Sequence, residues 1–166
     1  MSYVYKVIDS PIGKLKLVAN GSRLSAILWE NDKPNRVRLG PIHEDKGSPI
    51  LGETERQLNE YFAGKRSCFE LELDFVGTEF QRKVWEALLT IPFGETRSYG
   101  EIAVQIGNAK AVRAVGAATG KNPISIITPC HRAIGASGDL TGFAGGLRAK
   151  KMLLTLESGN TSQTAA

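Results

Sequence analysis

Residues 98–120, SYGEIAVQIGNAKAVRAVGAATG, decide the fold because they contain two short helical segments separated by a turn. Ser98 and Glu101 have the spacing of a capping box, which predicts a helix that runs to about Ile106. Gly107 follows, and glycine readily adopts the left-handed conformation that closes a helix. A turn of about three residues then leads into a second helix, which is the arrangement of a helix-turn-helix.

The second helix of this pair has an unusual composition. We expect Asn108 to cap it and the helix to cover about residues 109–120, which are almost all Ala, Gly and Val around Arg113. A core helix normally offers Leu or Ile to fill space, whereas small side chains let a backbone approach another surface closely. Approach to a nucleic-acid groove explains the composition, although two helices of an ordinary α domain remain an alternative.

Another helix precedes this pair. Thr78 and Gln81 form a second capping box, and Pro92 and Gly94 are expected to stop the helix that it starts. The helix is predicted to bury one apolar face, made of Phe80, Val84, Trp85, Leu88 and Leu89.

The first part of the chain has the pattern of strands. Residues 3–30 predict three short strands, with turn signals at residues 10–13 and 20–22. Residues 31–48 are polar and rich in Pro and Gly, which predicts a long loop. A helix is predicted next, because apolar residues recur at helical spacing before Gly64, and residues 68–75, CFELELDF, could add a strand. The apolar positions of that helix are Leu51, Leu58, Tyr61 and Phe62.

These elements predict an α+β protein with a small N-terminal antiparallel sheet and helix, followed by a mainly helical, winged-helix-like domain with the helix-turn-helix. We expect an N-terminal scaffold domain at residues 1–76 and a C-terminal DNA-binding and catalytic domain at residues 77–158. Residues 159–166 are polar and are predicted to form a flexible tail.

Composition excludes several classes of protein. The chain has 166 residues, 42% of them apolar and 23% charged, as in ordinary globular proteins. No apolar run approaches the roughly 20 residues of a membrane span, and the first thirty residues lack the apolar core of a signal peptide. We therefore expect a cytoplasmic protein with no membrane partner. Two cysteines and two histidines are too few for a disulfide framework or a typical zinc site, so no metal is expected.

Charge is distributed unevenly along the chain. Residues 80–151 carry ten Lys or Arg and four acids, a net charge of +6, while the remainder carries eleven basic and thirteen acidic residues, a net charge of −2. A polyanion such as nucleic acid would meet the C-terminal part, although surface Lys and Arg often serve only solubility.

The segment ITPCHRAIG, residues 127–135, places Cys130 beside His131. The β-branched run before Pro129 predicts a buried strand that gives way at Cys130 to a turn or short helix. A thiol with a pKa of about 8.5 is only slightly ionised at neutral pH, and an imidazole, a cation or backbone N–H groups would raise that fraction. A redox role lacks a second cysteine nearby, and the only other histidine, His43, lies in the predicted loop.

From about Tyr3 to Glu157, the chain resembles the O6-alkylguanine-DNA alkyltransferase family in its bacterial form. The motifs that carry the resemblance are NPISIITPCHRAIG (122–135), TGFAGGL (141–147), TEFQRKVWEALLTIPFGETRSYGEIA (78–103) and VRAVGAATGKNP (112–123). The resemblance implies direct reversal of damage in duplex DNA. The helix-turn-helix enters the minor groove, the damaged base is extruded, and the alkyl group passes irreversibly from O6-alkylguanine to a cysteine. It further implies action on O4-alkylthymine, a single turnover and no cofactor. We expect a monomer and leave cooperative assembly on DNA open.

The resemblance assigns a role to each of five catalytic residues. Cys130 is the alkyl acceptor, His131 the base that holds the thiolate through a water, and Glu157 the group that orients the imidazole. The hydroxyl of Tyr99 acts as a donor to the departing base, and Tyr99 also pushes the phosphate of the nucleotide that rotates out. Asn122 braces the active-site turn.

Two further sets of residues follow from the resemblance. Arg113 fills the gap that the extruded base leaves in the stack. The other residues expected at DNA are Tyr99, Lys110, Ala111, Ala114 and Gly116. The loop at residues 141–146 is expected to form the lesion pocket. Its candidate residues are Ala133, Phe143, Ala144 and Gly145.

Three positions depart from the family pattern. Thr128 stands where aliphatic residues are common, Ala133 replaces the usual valine, and Phe143 is often tyrosine. Two rival functions remain open on the residues alone: a lesion sensor that binds DNA without transfer, and a thiol hydrolase with multiple turnovers.

Overall fold

The computed structural model describes the backbone of residues 3–138 and 143–165, and the side chains of these residues up to position 159. The chain divides into two compact units, Met1–Val76 and Gly77–Ala166. Within the described residues, no helix combines the length and the apolar character that crossing a membrane requires.

The first unit contains a four-stranded sheet in the order β3-β2-β1-β4. Its strands are β1 (Tyr3–Ile8), β2 (Leu15–Asn20), β3 (Arg23–Trp29) and β4 (Ile42–Glu44). The three predicted strands are confirmed, and they pair antiparallel. Gly13 and Gly21 have φ values of 105° and 62°, so both predicted turns use the left-handed freedom of glycine.

Strand β4 was missed by the sequence analysis, which treated residues 31–48 as loop. It pairs parallel with β1, opposite Tyr3, Val4 and Tyr5. The strand has only three residues and carries exposed His43 and Glu44, so its pairing depends on the neighbouring strand and leaves no alternating pattern of its own.

Helix α1 (Pro49–Phe62) packs on the sheet and ends before Gly64, as predicted. Residues 68–75 do not form a full strand, because they bridge β3 only where Leu73 lies beside Leu24. The Gln57 side chain instead hydrogen bonds to both the N–H and the carbonyl of Glu70. A side chain thus supplies part of the pairing that a second strand would have provided.

The second unit is mainly helical and confirms the predicted α+β class. Its elements are α2 (Glu79–Leu88), β5 (Arg97–Ser98), α3 (Tyr99–Gln105), α4 (Val112–Gly120), a 3₁₀ turn (Cys130–Arg132), β6 (Ala133–Ile134) and α5 (Leu147–Ala165). Helix α4 packs against α2 and α3, which gives the expected helix-turn-helix. Both capping boxes are present, at Thr78 with Gln81 and at Ser98 with Glu101.

Two details of the helices differ from prediction. On α2, Leu89 is 43% exposed and Phe80 is half-buried, whereas Ala87 is buried together with Val84, Trp85 and Leu88. Helix α4 begins at Val112 with Ala111 as N-cap, so Asn108 does not cap it. The Asn108 carbonyl accepts a hydrogen bond from Ala111 N–H, which closes a turn before the helix starts.

Helix α5 continues beyond Glu157 to Ala165, whereas residues 159–166 were predicted as a flexible tail. Polar residues can continue a helix because its hydrogen bonds lie within the backbone, so polar composition alone does not mark a helix end. Residue 166 lies outside the described residues.

Replacing Gly77 with alanine should destabilise the second unit. The added Cβ would lie 2.5 Å from the buried Trp85 ring and 2.8 Å from Gln81 Oε1 of the capping box. We expect Gly77→Ala to lower the free energy of unfolding by about 1–3 kcal/mol in urea denaturation. Gly52→Ala in α1, where a Cβ meets nothing within 4 Å, is the control and should be neutral or stabilise by up to about 1 kcal/mol. Equal effects of both variants would contradict the overpacking.

Candidate active site

Cys130 is the first residue of the 3₁₀ turn and is 5% exposed. The turn or short helix predicted there is confirmed, but the preceding ISIIT segment is not a strand. Ile126 has a φ of 76°, and Ile127 N–H donates to the Ser125 carbonyl at 2.9 Å, which closes a tight three-residue turn. A β-branched residue rarely adopts this conformation, so the surrounding contacts override its strand propensity.

Asn122 braces this segment from within. Its side-chain N–H donates to the Thr128 carbonyl at 2.9 Å, and its side-chain oxygen accepts from Ile124 N–H at 3.0 Å. The Thr128 carbonyl also accepts from Cys130 N–H at 2.7 Å. The amide of Asn122 is therefore connected through one carbonyl to the backbone of the cysteine.

His131 and Glu157 form a fully buried pair. His131 Nε2 lies 2.7 Å from Glu157 Oε2, and the histidine side chain has no exposed surface. Burial lowers the pKa of His131 below 6.5, although the bond to Glu157 opposes this effect. Burial raises the pKa of Glu157, but hydrogen bonds from His131 and Arg132 outweigh it and bring the pKa to about 2.

These pKa directions assign the tautomer of His131. An ionised Glu157 can only accept hydrogen bonds, so the neutral imidazole carries its proton on Nε2. Nδ1 then has a free lone pair, and it has no hydrogen-bond partner among the described residues. The imidazole of the residue after Cys130 is thus set to accept a proton.

Arg132 occupies the remaining positions around Glu157 and was not singled out as functional by the sequence. Its Nε donates to Oε1 at 2.8 Å and its Nη2 donates to Oε2 at 2.9 Å. Its Nη1 donates to the Ile91 carbonyl at 2.6 Å, and its guanidinium lies 5.9 Å from the centre of the Phe93 ring. Its position directly after the Cys-His pair was the available signal.

Lys150 is the second residue that the sequence analysis missed, since it was counted only among the basic residues. It is fully buried on α5, and its Nζ donates to the Ala133 carbonyl at 2.8 Å. Burial lowers its pKa, while a negative charge on Cys130 raises it. Lys150 and Glu157 are seven residues apart and hence on one face of a helix, a spacing that could have indicated the lysine.

Tyr99 lies at the first position of α3 and is half-buried. Strand β5 immediately before it pairs with β6, with Arg97 opposite Ala133 and Ser98 opposite Ile134. This pairing brings the start of the helix-turn-helix beside the segment that follows Cys130 and His131.

Helix α4 presents a surface of small residues. Val115, Ala118 and Thr119 are buried, whereas Arg113 and Ala114 are exposed. Of the other residues predicted at DNA, Lys110 is exposed, and Ala111 and Gly116 are half-buried. A Cβ added at Gly116 would meet nothing within 4 Å, so this part of the helix surface is open.

The predicted lesion pocket is described only in part. Ala133 is buried, and Phe143, Ala144 and Gly145 are half-buried before α5. Thr141 and Gly142 lie outside the described residues. Gly146 N–H donates to the Phe143 carbonyl, and the φ of Gly146 is 91°, a conformation that favours glycine.

Thr128, the departure nearest to Cys130, is fully buried. Its hydroxyl has no hydrogen-bond partner among the described residues. Nowhere among the described residues do three or more His, Cys, Asp or Glu side chains lie close enough together to hold a metal ion.

Comparisons with known proteins cover nearly the whole chain. Residues 3–75 match the family model of the 6-O-methylguanine DNA methyltransferase ribonuclease-like domain, and residues 79–159 match that of the DNA-binding domain. A Mycobacterium bovis methylated-DNA–protein-cysteine methyltransferase is 56% identical over 155 residues, covering 92% of this chain and 91% of that protein. A Methanosarcina barkeri protein of the same name is 47% identical over 156 residues, covering 94% and 98%.

A solved structure also resembles this fold. The crystal structure of Mycobacterium tuberculosis OGT in complex with DNA matches with a TM-score of 0.86 and 52% identity, covering 96% of this chain and 94% of that one.

Stability should depend on pH through His131. Below pH 6.5 the unfolded chain binds a proton that the folded, neutral His131 does not. The free energy of unfolding should therefore fall as the pH drops from 7 to 5, by at most about 1.4 kcal/mol per pH unit. Urea denaturation of His131→Gln should lack this decline, while His43→Gln, which changes an exposed residue of β4, should keep it. A wild-type decline that persists in His131→Gln would contradict the assignment.

Proposed function

The chain belongs to the 6-O-methylguanine DNA methyltransferase family, and from this premise we propose that Cys130 takes the alkyl group from O6-alkylguanine in duplex DNA. The protein is an alkyl-transferring DNA-repair enzyme, as its methylated-DNA–protein-cysteine methyltransferase relatives are. The observation that carries the assignment of the nucleophile is the buried His131–Glu157 pair beside Cys130, with Nδ1 left to accept a proton.

The proposed reaction is a displacement at the alkyl carbon. The thiol proton passes to His131 Nδ1, directly or through a water, and the thiolate attacks the carbon attached to O6. A carbon–sulfur bond forms as the carbon–oxygen bond breaks, and the electron pair of the broken bond remains on the base. The guanine is neutralised by a proton, for which the Tyr99 hydroxyl is the proposed donor. The tyrosinate regains a proton from solvent and the His131 imidazolium gives one up, so that the net change moves one proton from the thiol to the guanine. The resulting thioether has no leaving group that water could displace readily, so each molecule reacts once.

Charge in the site supports the thiolate. Buried Lys150 interacts electrostatically with a negative charge on Cys130, so the cation favours ionisation of the sulfur. The lysine is held by the Ala133 carbonyl, and Asn122 holds the turn through the Thr128 carbonyl. Both contacts restrict the backbone on either side of the nucleophile.

Recognition of DNA is assigned to α4. The exposed, small surface of this helix allows close approach to the minor groove, and Arg113 projects from it. Extrusion of a base costs a few kcal/mol of stacking and pairing, and a planar guanidinium placed in the gap recovers part of that loss. Lys110, Ala111, Ala114 and Gly116 are proposed to line the same DNA surface.

The extruded base is proposed to lie against Ala133, Phe143, Ala144 and Gly145. The Phe143 ring can stack on a purine, and small neighbours leave room for the base. O4-alkylthymine is included in the proposal because it carries the same alkyl–oxygen bond next to a ring nitrogen. We further propose that the reaction needs no cofactor, because the alkyl group passes directly from the base to the protein. We also propose that the protein acts as a monomer.

Cys130→Ser should abolish transfer. The wild-type protein, incubated with duplex O6-methylguanine, should yield a peptide containing Cys130 that is heavier by one methylene group in mass spectrometry. The serine variant should yield no adduct on any peptide, because an alcohol is far less ionised than a thiol at neutral pH. Cys68→Ser is the matched control and should transfer normally, since Cys68 is exposed and lies in the first unit. Repair by Cys130→Ser would refute the assignment, and several turnovers per molecule on an ester would favour a hydrolase.

Arg113→Ala should impair repair of duplex DNA much more than reaction with a free O6-alkylguanine base. Only the duplex requires extrusion, and a loss of about tenfold or more in the rate constant is expected from the extrusion cost. Arg82→Ala removes an exposed cation from α2 and should show no such selectivity. Equal losses of Arg113→Ala on both substrates would contradict its role in extrusion.

A further inference from the structure

The buried cluster around Cys130 contains more cations than anions. Among the described residues, Glu157 is the carboxylate that contacts His131, while Arg132 and Lys150 both act on the imidazole as positive charges. Arg132 contacts both oxygens of Glu157 with Nε and Nη2, the two nitrogens on one edge of its guanidinium. This bidentate geometry is the strongest arrangement of an arginine and a carboxylate.

Arg132 therefore supplies the compensating charge that Glu157 needs in a buried position. His131 contacts the same carboxylate with Nε2 only, which a neutral imidazole can do as a donor. If Arg132 lost its charge, Glu157 would lose a formal positive charge and two hydrogen bonds, while His131 would stay in contact with it through Nε2. The direct repulsion between Arg132 and a protonated imidazole would also be lost. Because a buried carboxylate that loses a counter-charge is costly, a proton would be drawn to His131 Nδ1, converting the pair into imidazolium and carboxylate.

We propose that Arg132 is a positioning residue that keeps His131 neutral, so that its Nδ1 can accept the thiol proton. The inference rests on the proposed function of Cys130 and His131, and it adds a reason why the base stays unprotonated beside an ionised carboxylate. Protonated Nδ1 could not accept a proton and could act only as a donor.

The other groups that face this pair act in the same direction. From α5, Lys150 disfavours a second positive charge on His131, and burial lowers the pKa of the histidine further. From the segment after α2, Gly94 N–H lies 3.4 Å from Glu157 Oε1 and partly satisfies that oxygen. Glu157 itself favours the imidazolium, and these positive charges and the burial oppose it. A thiolate on Cys130 would add to the effect of Glu157, but it forms only when the proton moves.

Geometry explains why this position requires arginine. Three nitrogens are used at once: two on Glu157 and the third, Nη1, on the Ile91 carbonyl. Lysine has the charge but only one nitrogen, so it cannot span the carboxylate and the carbonyl in the same way. Arg132→Lys should therefore preserve the charge balance while loosening the position of Glu157.

The charge state of His131 can be read directly, because the chain has only two histidines. In ¹⁵N-histidine NMR spectra of the protein without DNA, wild-type His131 should show the neutral form protonated on Nε2 at pH 7. Arg132→Gln, which is neutral and retains one donor, should show His131 protonated on both nitrogens at pH 7. In Arg132→Lys, His131 should remain neutral. His131 should also remain neutral in the double variant Arg132→Gln/Glu157→Gln, which lacks both the arginine and the glutamate charge.

Arg36→Met is the matched control. Arg36 forms a comparable bidentate pair with Asp32 in the first unit, and the side chains of both residues are mostly buried. The Arg36→Met variant tests the general effect of removing a buried arginine–carboxylate pair. This variant should leave the His131 signals unchanged.

The second readout is the pH dependence of alkyl transfer from a free O6-alkylguanine base. Arg132→Gln should react about tenfold more slowly than wild type at pH 7, and the gap should narrow to about threefold or less at pH 9, where His131 loses its extra proton. A purely structural role would lower the rate by the same factor at every pH.

The inference would be overturned by a neutral His131 in Arg132→Gln at pH 7, or by a protonated His131 in the double variant. If Arg132→Gln does not fold, protonation of His131 in Arg132→Lys at pH 7 would equally overturn it, since the charge would be present without effect. Failure of the proposed function would appear separately, as wild-type protein that forms no adduct on Cys130 while the NMR results hold.

Discussion

The structure of the site depends on one buried carboxylate, that of Glu157. It accepts hydrogen bonds from His131 and from two nitrogens of Arg132, and these bonds outweigh the cost of burying its charge. Because the carboxylate sits on α5 and its partners sit on the 3₁₀ turn, this set of bonds fixes the last helix against the turn that begins at Cys130. The bond from Arg132 to the Ile91 carbonyl extends the same network to the segment that follows α2. One acid thus determines both the packing of three segments and the tautomer of the histidine.

The segment before Cys130 is held by the conformation of its own backbone. Ile126 is buried with a φ of 76°, a conformation that costs a β-branched residue on the order of 1–3 kcal/mol. Such strain persists only where surrounding contacts determine the conformation, and here the two hydrogen bonds of Asn122 do so. The orientation of Cys130 therefore does not depend on local propensity, and a rigid approach angle is what displacement at a single carbon requires.

The parts of the fold that the sequence predicted are those with local signals. The capping boxes at Thr78 and Ser98 place α2 and α3 correctly because each involves residues only three positions apart. Prediction failed where distant contacts decide, as at residues 124–128, where the β-branched run forms a tight turn around Asn122. Similarly, the sequence marked His131 and Glu157 through the resemblance, but Arg132 and Lys150 looked like other basic residues. Their burial follows from bonds to the Glu157 carboxylate and the Ala133 carbonyl, partners that no spacing along the chain specifies by itself.

Burial of so many ionisable groups also agrees with chemistry that occurs once. An enzyme that turns over must return its proton carriers to their starting state and release product, which favours exchange with solvent. Here the proposed product is a thioether on Cys130, and nothing in the site needs to be regenerated. The ionisable side chains of the site can therefore be closed off from water, as they are at His131, Arg132, Lys150 and Glu157. Each electrostatic interaction is stronger in this interior than it would be in water. The same burial means that the added alkyl group must fit into a segment already fixed by Asn122 and Glu157, so the chemical step and the packing of the second unit are coupled.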